Sequence, residues 1–110
     1  MSSIMVINAK GGSGKTTIST NLASYFASNG YKVTLVDLDP QGSSTKWLSS
    51  RPITKAKIKG VTSLPPQKVS KKEDEVTIFD VPAAIYGARL QTYIKKAAKI
   101  IVPVLPSPID

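Results

Sequence analysis

A glycine-rich segment with a lysine near each end lies between an apolar run at residues 4–7 and an amphipathic helical pattern. It consists of Lys10, Gly11, Gly12, Ser13, Gly14, Lys15, Thr16 and Thr17. Glycines let the backbone curl until several N–H groups point at one phosphate, and the following helix adds its positive end. In this context Lys15 would reach the β- and γ-phosphates, and the Thr16 hydroxyl would complete a Mg²⁺ shell. The segment therefore predicts a nucleotide-phosphate loop, and its alternative is a glycine-rich turn before a helix.

Lys10 is a second lysine in this loop, at a position where an ordinary phosphate-binding loop carries no charge. A second ammonium beside the same triphosphate would be redundant within one subunit. One interpretation is that Lys10 contacts a phosphate held by a second subunit, where it would stabilise charge that develops at the γ-phosphoryl group. The alternative is a solvated surface lysine, as most lysines are. The spacing alone leaves both interpretations open.

Three segments of the chain carry lysine, glycine and aspartate at characteristic spacings, namely residues 8–17, 36–42 and 78–82. The first resembles the deviant Walker A motif of the ParA/MinD family of dimeric P-loop ATPases. The second, Val-Asp-Leu-Asp-Pro-Gln-Gly, is similar to the second motif of that family in its ParA form, and the third resembles its Walker B motif. Residues 102–110 resemble the strand and turn that follow. Proteins of this family are usually longer than 110 residues, so the chain is identified as an N-terminal portion of a member.

The resemblance implies a homodimer that holds two ATP molecules between its subunits, with Lys10 contacting nucleotide across the dimer. It implies ATP and Mg²⁺ as cofactors and a weak Mg²⁺-dependent ATP hydrolysis, for which this portion alone could be insufficient. Residues Lys10 to Thr17 would bind the nucleotide. The catalytic residues would be Lys10, Lys15 and Asp39.

Aspartates that follow apolar strands form the other part of the predicted site. Because side chains alternate along a strand, Asp37 and Asp39 leave the second strand on one face, and ligands of parallel sheets bind at the carboxyl ends of strands. We expect Asp80 and Thr16 to hold Mg²⁺, with Asp37 supporting the same shell. The resemblance assigns Asp39 to orienting the water that attacks the γ-phosphate. The alternative is a purely structural role, since Asp-Pro-Gln-Gly is itself a good turn sequence.

Strand and helix patterns alternate along the chain. Strands are predicted at residues 4–8, 32–38, 76–80 and 100–105, and helices at 17–29 and 85–96. The Asn29-Gly30 pair is a stop signal for the first helix. Continuous apolar strands that alternate with helices predict an α/β fold with a three-layer, mainly parallel sheet, here a P-loop NTPase fold. We expect residues 1–110 to be the N-terminal part of a single P-loop ATPase domain that is incomplete at the C-terminus.

Residues 51–72 form a basic insert with seven basic residues and no acidic one, and they carry nearly all of the net charge of +8. Lys55, Lys57 and Lys59 alternate with small or apolar residues, which predicts a strand within residues 54–63 that presents three lysines on one face. One interpretation is electrostatic contact with nucleic-acid phosphates. The other is an edge strand that lysines protect from aggregation. Aromatic residues for base stacking are absent, so neither interpretation is preferred.

The composition excludes several classes of protein. The absence of cysteine fits a reducing compartment and excludes relatives that hold a metal cluster through thiolates. The absence of histidine requires an all-oxygen metal site, which suits Mg²⁺. No apolar run approaches the ~18–20 residues of a membrane span, and residues 1–3 are no signal peptide. We therefore expect a cytoplasmic protein, associated with the nucleoid if it binds DNA.

These features predict a ParA-like positioning ATPase. In that function ATP closes a dimer, the dimer binds DNA without sequence preference, and a partner protein stimulates hydrolysis and release. The cargo would be a plasmid, a chromosome region or a protein assembly. The alternatives are a MinD-like membrane-cycling switch, which needs a C-terminal amphipathic helix that this chain lacks, and a P-loop metabolic ligase or synthetase. The ParA form of residues 37–42 and the basic charge favour the first function.

Overall fold

The computed structural model of the chain describes residues 3–7, 15–63, 72–82 and 99–101, with backbone only for residues 15–17. The strands are β1 (Ser3–Ile7), β2 (Lys32–Asp37), β3 (Ile58–Val61), β4 (Glu75–Val81) and β5 (Lys99–Ile101). The helices are α1 (Lys15–Ser28) and α2 (Ser43–Ser49). The predicted helix at 85–96 and the end of the last predicted strand lie outside the described residues.

The five strands form one sheet in the order β3-β2-β4-β1-β5, and every neighbouring pair is parallel. This confirms the predicted α/β class with a parallel sheet. Strand β4 lies between β1 and β2, although it follows both in the chain. Because all strands run the same way, the carboxyl ends of β1, β2 and β4 lie at a single edge of the sheet.

Both faces of the sheet are buried. One face packs against α1 through its small residues Ala23 and Ala27, and it comprises Ile4, Val6, Val33, Leu35, Val76 and Ile78. The opposite face comprises Met5, Val36, Phe79 and Val81, each no more than 1% exposed. Burial on both faces explains why the strands are continuously apolar rather than alternating, and it is what a three-layer arrangement requires.

Helix α1 ends at a glycine in the left-handed conformation, as the Asn29-Gly30 pair predicted. Gly30 has a φ of 86°, and its N–H donates to the Ala27 carbonyl at 3.2 Å. The Tyr31 N–H donates to the Phe26 carbonyl at 3.0 Å, and the two rings pack edge to face with centroids 5.2 Å apart. These two bonds and the ring contact make up a Schellman motif, which turns the chain directly into β2.

Replacing Gly30 by alanine is expected to lower the free energy of unfolding by about 1–2 kcal/mol, because an L-residue is strained at positive φ. There is open space around the Cβ position, so strain and not a clash would account for the loss. Urea unfolding measures the effect, with Ser28→Ala on the exposed end of α1 as the control. A Gly30→Ala variant as stable as the parent chain would contradict the left-handed helix end.

The structure corrects the predicted strand in the basic insert. Strand β3 begins only at Ile58, so Lys55 and Lys57 precede it, and Lys59 is its one lysine. The chain turns before the strand, with the Lys55 N–H donating to the Pro52 carbonyl at 3.0 Å. The three lysines therefore do not share one strand face. Strand β3 does lie at an edge of the described sheet, as the edge-strand interpretation expected.

Helix α2 is a second difference, because no helix was predicted between β2 and β3. It has seven residues, and its N-cap is Gly42, which has a φ of 66° and no side chain to accept a hydrogen bond. The usual local start signal is therefore missing from the sequence. Trp47 packs against the α1 side of the core, which holds α2 on the same face of the sheet as α1.

Candidate functional site

The phosphate-loop prediction rests on the order of strand, loop and helix, and the structure shows the strand before the glycine-rich segment and the helix after it. Strand β1 ends at Ile7 and helix α1 begins at Lys15. The connection comprises Lys10, Gly11, Gly12, Ser13, Gly14 and their neighbours, and it lies outside the described residues. Thr16 and Thr17 lie in the first turn of α1, whose backbone alone is described there. The segment therefore follows an interior strand of the described sheet and precedes a helix that packs on that sheet.

Asp37 and Asp80 lie opposite each other at the carboxyl edge of the sheet. They are register partners in the β2–β4 pair, and Asp80 is also the register partner of Val6 in β1. Both carboxylates are buried, with exposures of 4% for Asp37 and none for Asp80. By strand alternation they lie on the face that α1 and α2 cover. The structure thus brings two predicted metal-site residues together, beside the strand that leads into the glycine-rich loop.

Asp37 accepts hydrogen bonds with both carboxylate oxygens. Its Oδ1 accepts the Asp39 N–H at 3.0 Å, which directs the loop that leaves β2. Its Oδ2 accepts the Thr45 N–H at 2.8 Å and the Thr45 Oγ1 hydroxyl at 2.7 Å. Asp37 therefore caps α2 from another element, in place of the side chain that Gly42 lacks.

Asp80 accepts a hydrogen bond from Ser44, the residue that precedes Thr45 in α2. The Ser44 hydroxyl donates this hydrogen bond to Oδ2 of Asp80, and both side chains are completely buried. The Leu38 N–H donates to the main-chain carbonyl of Asp80 at 3.0 Å, which continues the β2–β4 ladder past the strand end. Two consecutive residues of α2 thus contact the two buried aspartates.

Asp39 forms the turn that its sequence context favoured. Its Oδ1 accepts the Gln41 N–H at 2.9 Å, and its carbonyl accepts the Gly42 N–H at 2.9 Å. Asp39 is half-buried and lines a cleft of about 410 Å³. Other residues that line the cleft are Asp37, Leu38, Pro40, Gly42, Thr45, Lys46 and Thr62. A turn residue that lines a cleft can also reach a bound molecule, so the structural and catalytic roles are compatible.

The donor chemistry of this edge fits Mg²⁺. Among the described residues, this edge offers oxygen atoms as possible metal ligands, from the carboxylates of Asp37 and Asp80 and the hydroxyls of Ser44 and Thr45. Two buried carboxylates side by side favour a cation near them. Within the described part of the chain, no three acidic residues converge on one point. Mg²⁺ is commonly held by one or two carboxylates together with the phosphates of a substrate, and the buried pair of Asp37 and Asp80 matches that pattern.

Ser44 and Thr45 were not predicted to belong to the site. They follow the Asp-Pro-Gln-Gly turn as an ordinary polar stretch, and no local pattern marks them. The Ser44–Asp80 contact joins residues 36 positions apart in the chain. Only the strand order, with β4 beside β2, brings them within reach of each other.

The basic residues of the insert have two kinds of environment: Arg51 makes structural contacts, whereas the described lysines are exposed. Arg51 lies over the Trp47 ring, 5.3 Å from its centroid, and its Nε donates to the Ala56 carbonyl at 3.0 Å. Its Nη1 donates to the Ser24 hydroxyl of α1 at 3.4 Å. Arg51 therefore fastens the insert to both helices. Lys55, Lys57, Lys59 and Lys72 are exposed, whereas Lys68 and Lys71 lie outside the described residues.

Comparison with known proteins identifies similar sequences along nearly the whole chain. A family model for the CobQ/CobB/MinD/ParA nucleotide binding domain matches residues 4–104. The chain is 32% identical to maintenance of carboxysome distribution protein A from Gloeobacter kilaueensis, over 97% of this chain and 50% of that protein.

Two shorter matches have higher identity. One is 56% identity to the chromosome-partitioning ATPase Soj of Thermus thermophilus, over 44% of this chain and 19% of that protein. The other is 52% identity to the cell division protein PomZ of Myxococcus xanthus, over 40% of this chain and 14% of that protein. The chain spans about half the length of the carboxysome relative and a smaller share of the other two. Neither described helix has the length and apolar character needed to cross a membrane.

Proposed function

Because the chain belongs to the CobQ/CobB/MinD/ParA family of nucleotide-binding domains, we propose that it acts as a ParA-like positioning ATPase. In this proposal ATP closes a homodimer, the dimer binds DNA without sequence preference, and a partner protein stimulates hydrolysis and release. One observation carries the proposal. The register places Asp37 and Asp80 together at the carboxyl edge of the sheet, beside the strand that enters the glycine-rich loop.

Each residue of the site has a separate part in the proposed reaction. The loop N–H groups and Lys15 would bind the phosphates, while Lys10 would contact nucleotide across the dimer. Thr16 and Asp80 would hold Mg²⁺, which when bound neutralises charge on the phosphate oxygens. Asp39 would orient the attacking water from its position in the lining of the cleft. Asp37 would support the metal shell from the position in which it caps α2.

The names of the relatives support positioning of a cargo as the function of the proposed ATPase. The relatives are named for carboxysome distribution, chromosome partition and cell division. Two of these names, carboxysome distribution and chromosome partition, describe the placement of a large body within a cell, which supports the same class of function for this chain. The proposed location is the cytoplasm, on the nucleoid.

The exposed lysines of the insert supply the proposed contact with DNA. Lys55, Lys57 and Lys59 lie in and just before an edge strand. No acidic residue occurs between residues 40 and 72 to neutralise them. Lysines exposed in such a segment bind phosphates without reading sequence, and each phosphate contact releases counterions.

Retention of the chain on nonspecific duplex DNA tests the proposal. We expect binding with ATP and Mg²⁺, and weaker binding with ADP or without nucleotide. Replacing Lys55, Lys57 and Lys59 by glutamine should reduce the salt slope of log K by about one for each lysine that contacts a phosphate.

The control compares two single variants that change the net charge equally, Lys59→Gln in β3 at one edge of the sheet and Lys99→Gln in β5 at the other. Lys99 is exposed and lies outside the basic insert. Equal losses of DNA affinity in both single variants would assign the effect to net charge alone. If the chain binds no DNA with ATP, with ADP or without nucleotide, the proposed DNA binding is wrong.

A further inference from the structure

The first turn of α2 is built against the two buried aspartates. Ser44 is completely buried and donates its hydroxyl to Oδ2 of Asp80. Thr45 donates its N–H and its hydroxyl to Oδ2 of Asp37. A short helix with a glycine cap thus has its position defined by side chains of the sheet edge.

The two contacts have different consequences for the helix and for the site. The Thr45 bonds satisfy a main-chain N–H of the first turn, so they serve to anchor α2. The Ser44 bond satisfies no main-chain group of the helix. Its effect falls on Asp80, because a buried hydroxyl donor restricts the orientation of the carboxylate that accepts it.

We propose that Ser44 is a positioning residue for Asp80, and that its hydroxyl sets the affinity of the site for nucleotide-bound Mg²⁺. This inference rests on the proposed function. The groups that hydrogen-bond to a metal-binding carboxylate fix its orientation, and their loss typically costs about 10- to 100-fold in metal affinity. Ser44 is completely buried, so bulk water cannot replace its hydroxyl when the side chain is removed.

The test separates binding of the metal from binding of the nucleotide. ATP affinity is measured by calorimetry in EDTA and across a MgCl₂ titration, for the parent chain and for Ser44→Ala. Mg²⁺ is expected to increase ATP affinity, and we expect Ser44→Ala to raise the Mg²⁺ concentration that gives half of this increase about 10- to 100-fold. ATP affinity in EDTA should be unchanged. The matched control is Ser43→Ala, which removes an exposed hydroxyl from the same turn and should change neither value.

Two further variants show whether Ser44 acts through Asp80. In an Asp80→Asn background, Ser44→Ala should add no further loss of Mg²⁺ affinity, because the two changes act on the same group. Ser44→Cys keeps a hydrogen-bond donor at the same position, although a weaker one on a larger atom, and should give an intermediate Mg²⁺ requirement. Thermal unfolding in EDTA shows whether each variant is folded. If Ser44→Ala does not fold, the Mg²⁺ requirement of Ser44→Cys tests the inference in its place.

The outcomes distinguish this inference from the function on which it rests. An unchanged Mg²⁺ requirement in a folded Ser44 variant would overturn the inference. An equal loss of ATP affinity with and without Mg²⁺ would also overturn it, since that is the result of a purely structural role. If the parent chain binds ATP with no dependence on Mg²⁺, the proposed function is wrong and the inference fails with it.

Discussion

Lys15→Ala is expected to abolish binding of Mg²⁺-ATP. Lys15 is the first residue of α1 and directly follows the glycine-rich loop, where an ammonium group would neutralise the β- and γ-phosphates. Removing one partner of a buried, hydrogen-bonded charge pair costs about 2–5 kcal/mol, which corresponds to a loss of affinity of roughly 30-fold to several thousand-fold. Calorimetric titration of ATP in the presence of MgCl₂ measures the loss.

The control for this variant is Lys32→Ala. Lys32 is an exposed lysine at the start of β2, at the edge of the sheet opposite to the strand ends that carry the aspartates. Its removal changes the net charge by the same amount and should leave ATP affinity unaltered. If Lys15→Ala binds ATP as tightly as the parent chain, the assignment of residues 10–17 to nucleotide binding is wrong.

Asp39→Asn is expected to stop ATP turnover while ATP binding persists. Asparagine can accept the Gln41 N–H as Asp39 does, so the turn should remain, but the negative charge that would orient the attacking water is lost. Loss of a group that orients or deprotonates a nucleophile reduces the rate by about 10²–10⁴-fold. Phosphate release at saturating ATP gives the turnover, and calorimetry gives the affinity.

Comparison with Asp39→Ala separates the catalytic role from the turn. The alanine variant loses both the charge and the hydrogen bond to the Gln41 N–H. Slow turnover in both variants supports the catalytic role, whereas slow turnover in Asp39→Ala alone would show that Asp39 serves only to form the turn. The exposed neighbour Gln41, replaced by alanine, provides the control and should leave turnover unchanged.

Features that depend on neighbouring residues were predicted correctly. The apolar strands β1, β2 and β4 were expected within one or two residues of their observed bounds. Helix α1 ends at the predicted Asn29-Gly30 pair, because a glycine at positive φ closes a helix whatever surrounds it. Runs of apolar residues and turn chemistry act over a few residues, so they can be identified without the rest of the fold.

The errors occurred where a segment depends on distant partners. Helix α2 carries no capping side chain of its own, since Asp37 provides the cap from β2. The alternation of lysines in the basic insert predicted a strand that begins too early. Arg51, which is held by Trp47 and Ser24, donates its Nε–H to the Ala56 carbonyl just before β3 begins.

The amino-acid sequence by itself determined the family, the parallel α/β class, and the aspartates at the strand ends, because motifs and apolar runs are local properties. Only the tertiary structure decided that β4 lies between β1 and β2, which makes Asp37 and Asp80 register partners. It also decided that Ser44 and Thr45 bind these two carboxylates. Strand order and buried hydrogen bonds depend on the packing of the whole sheet, and no single segment of the chain specifies them.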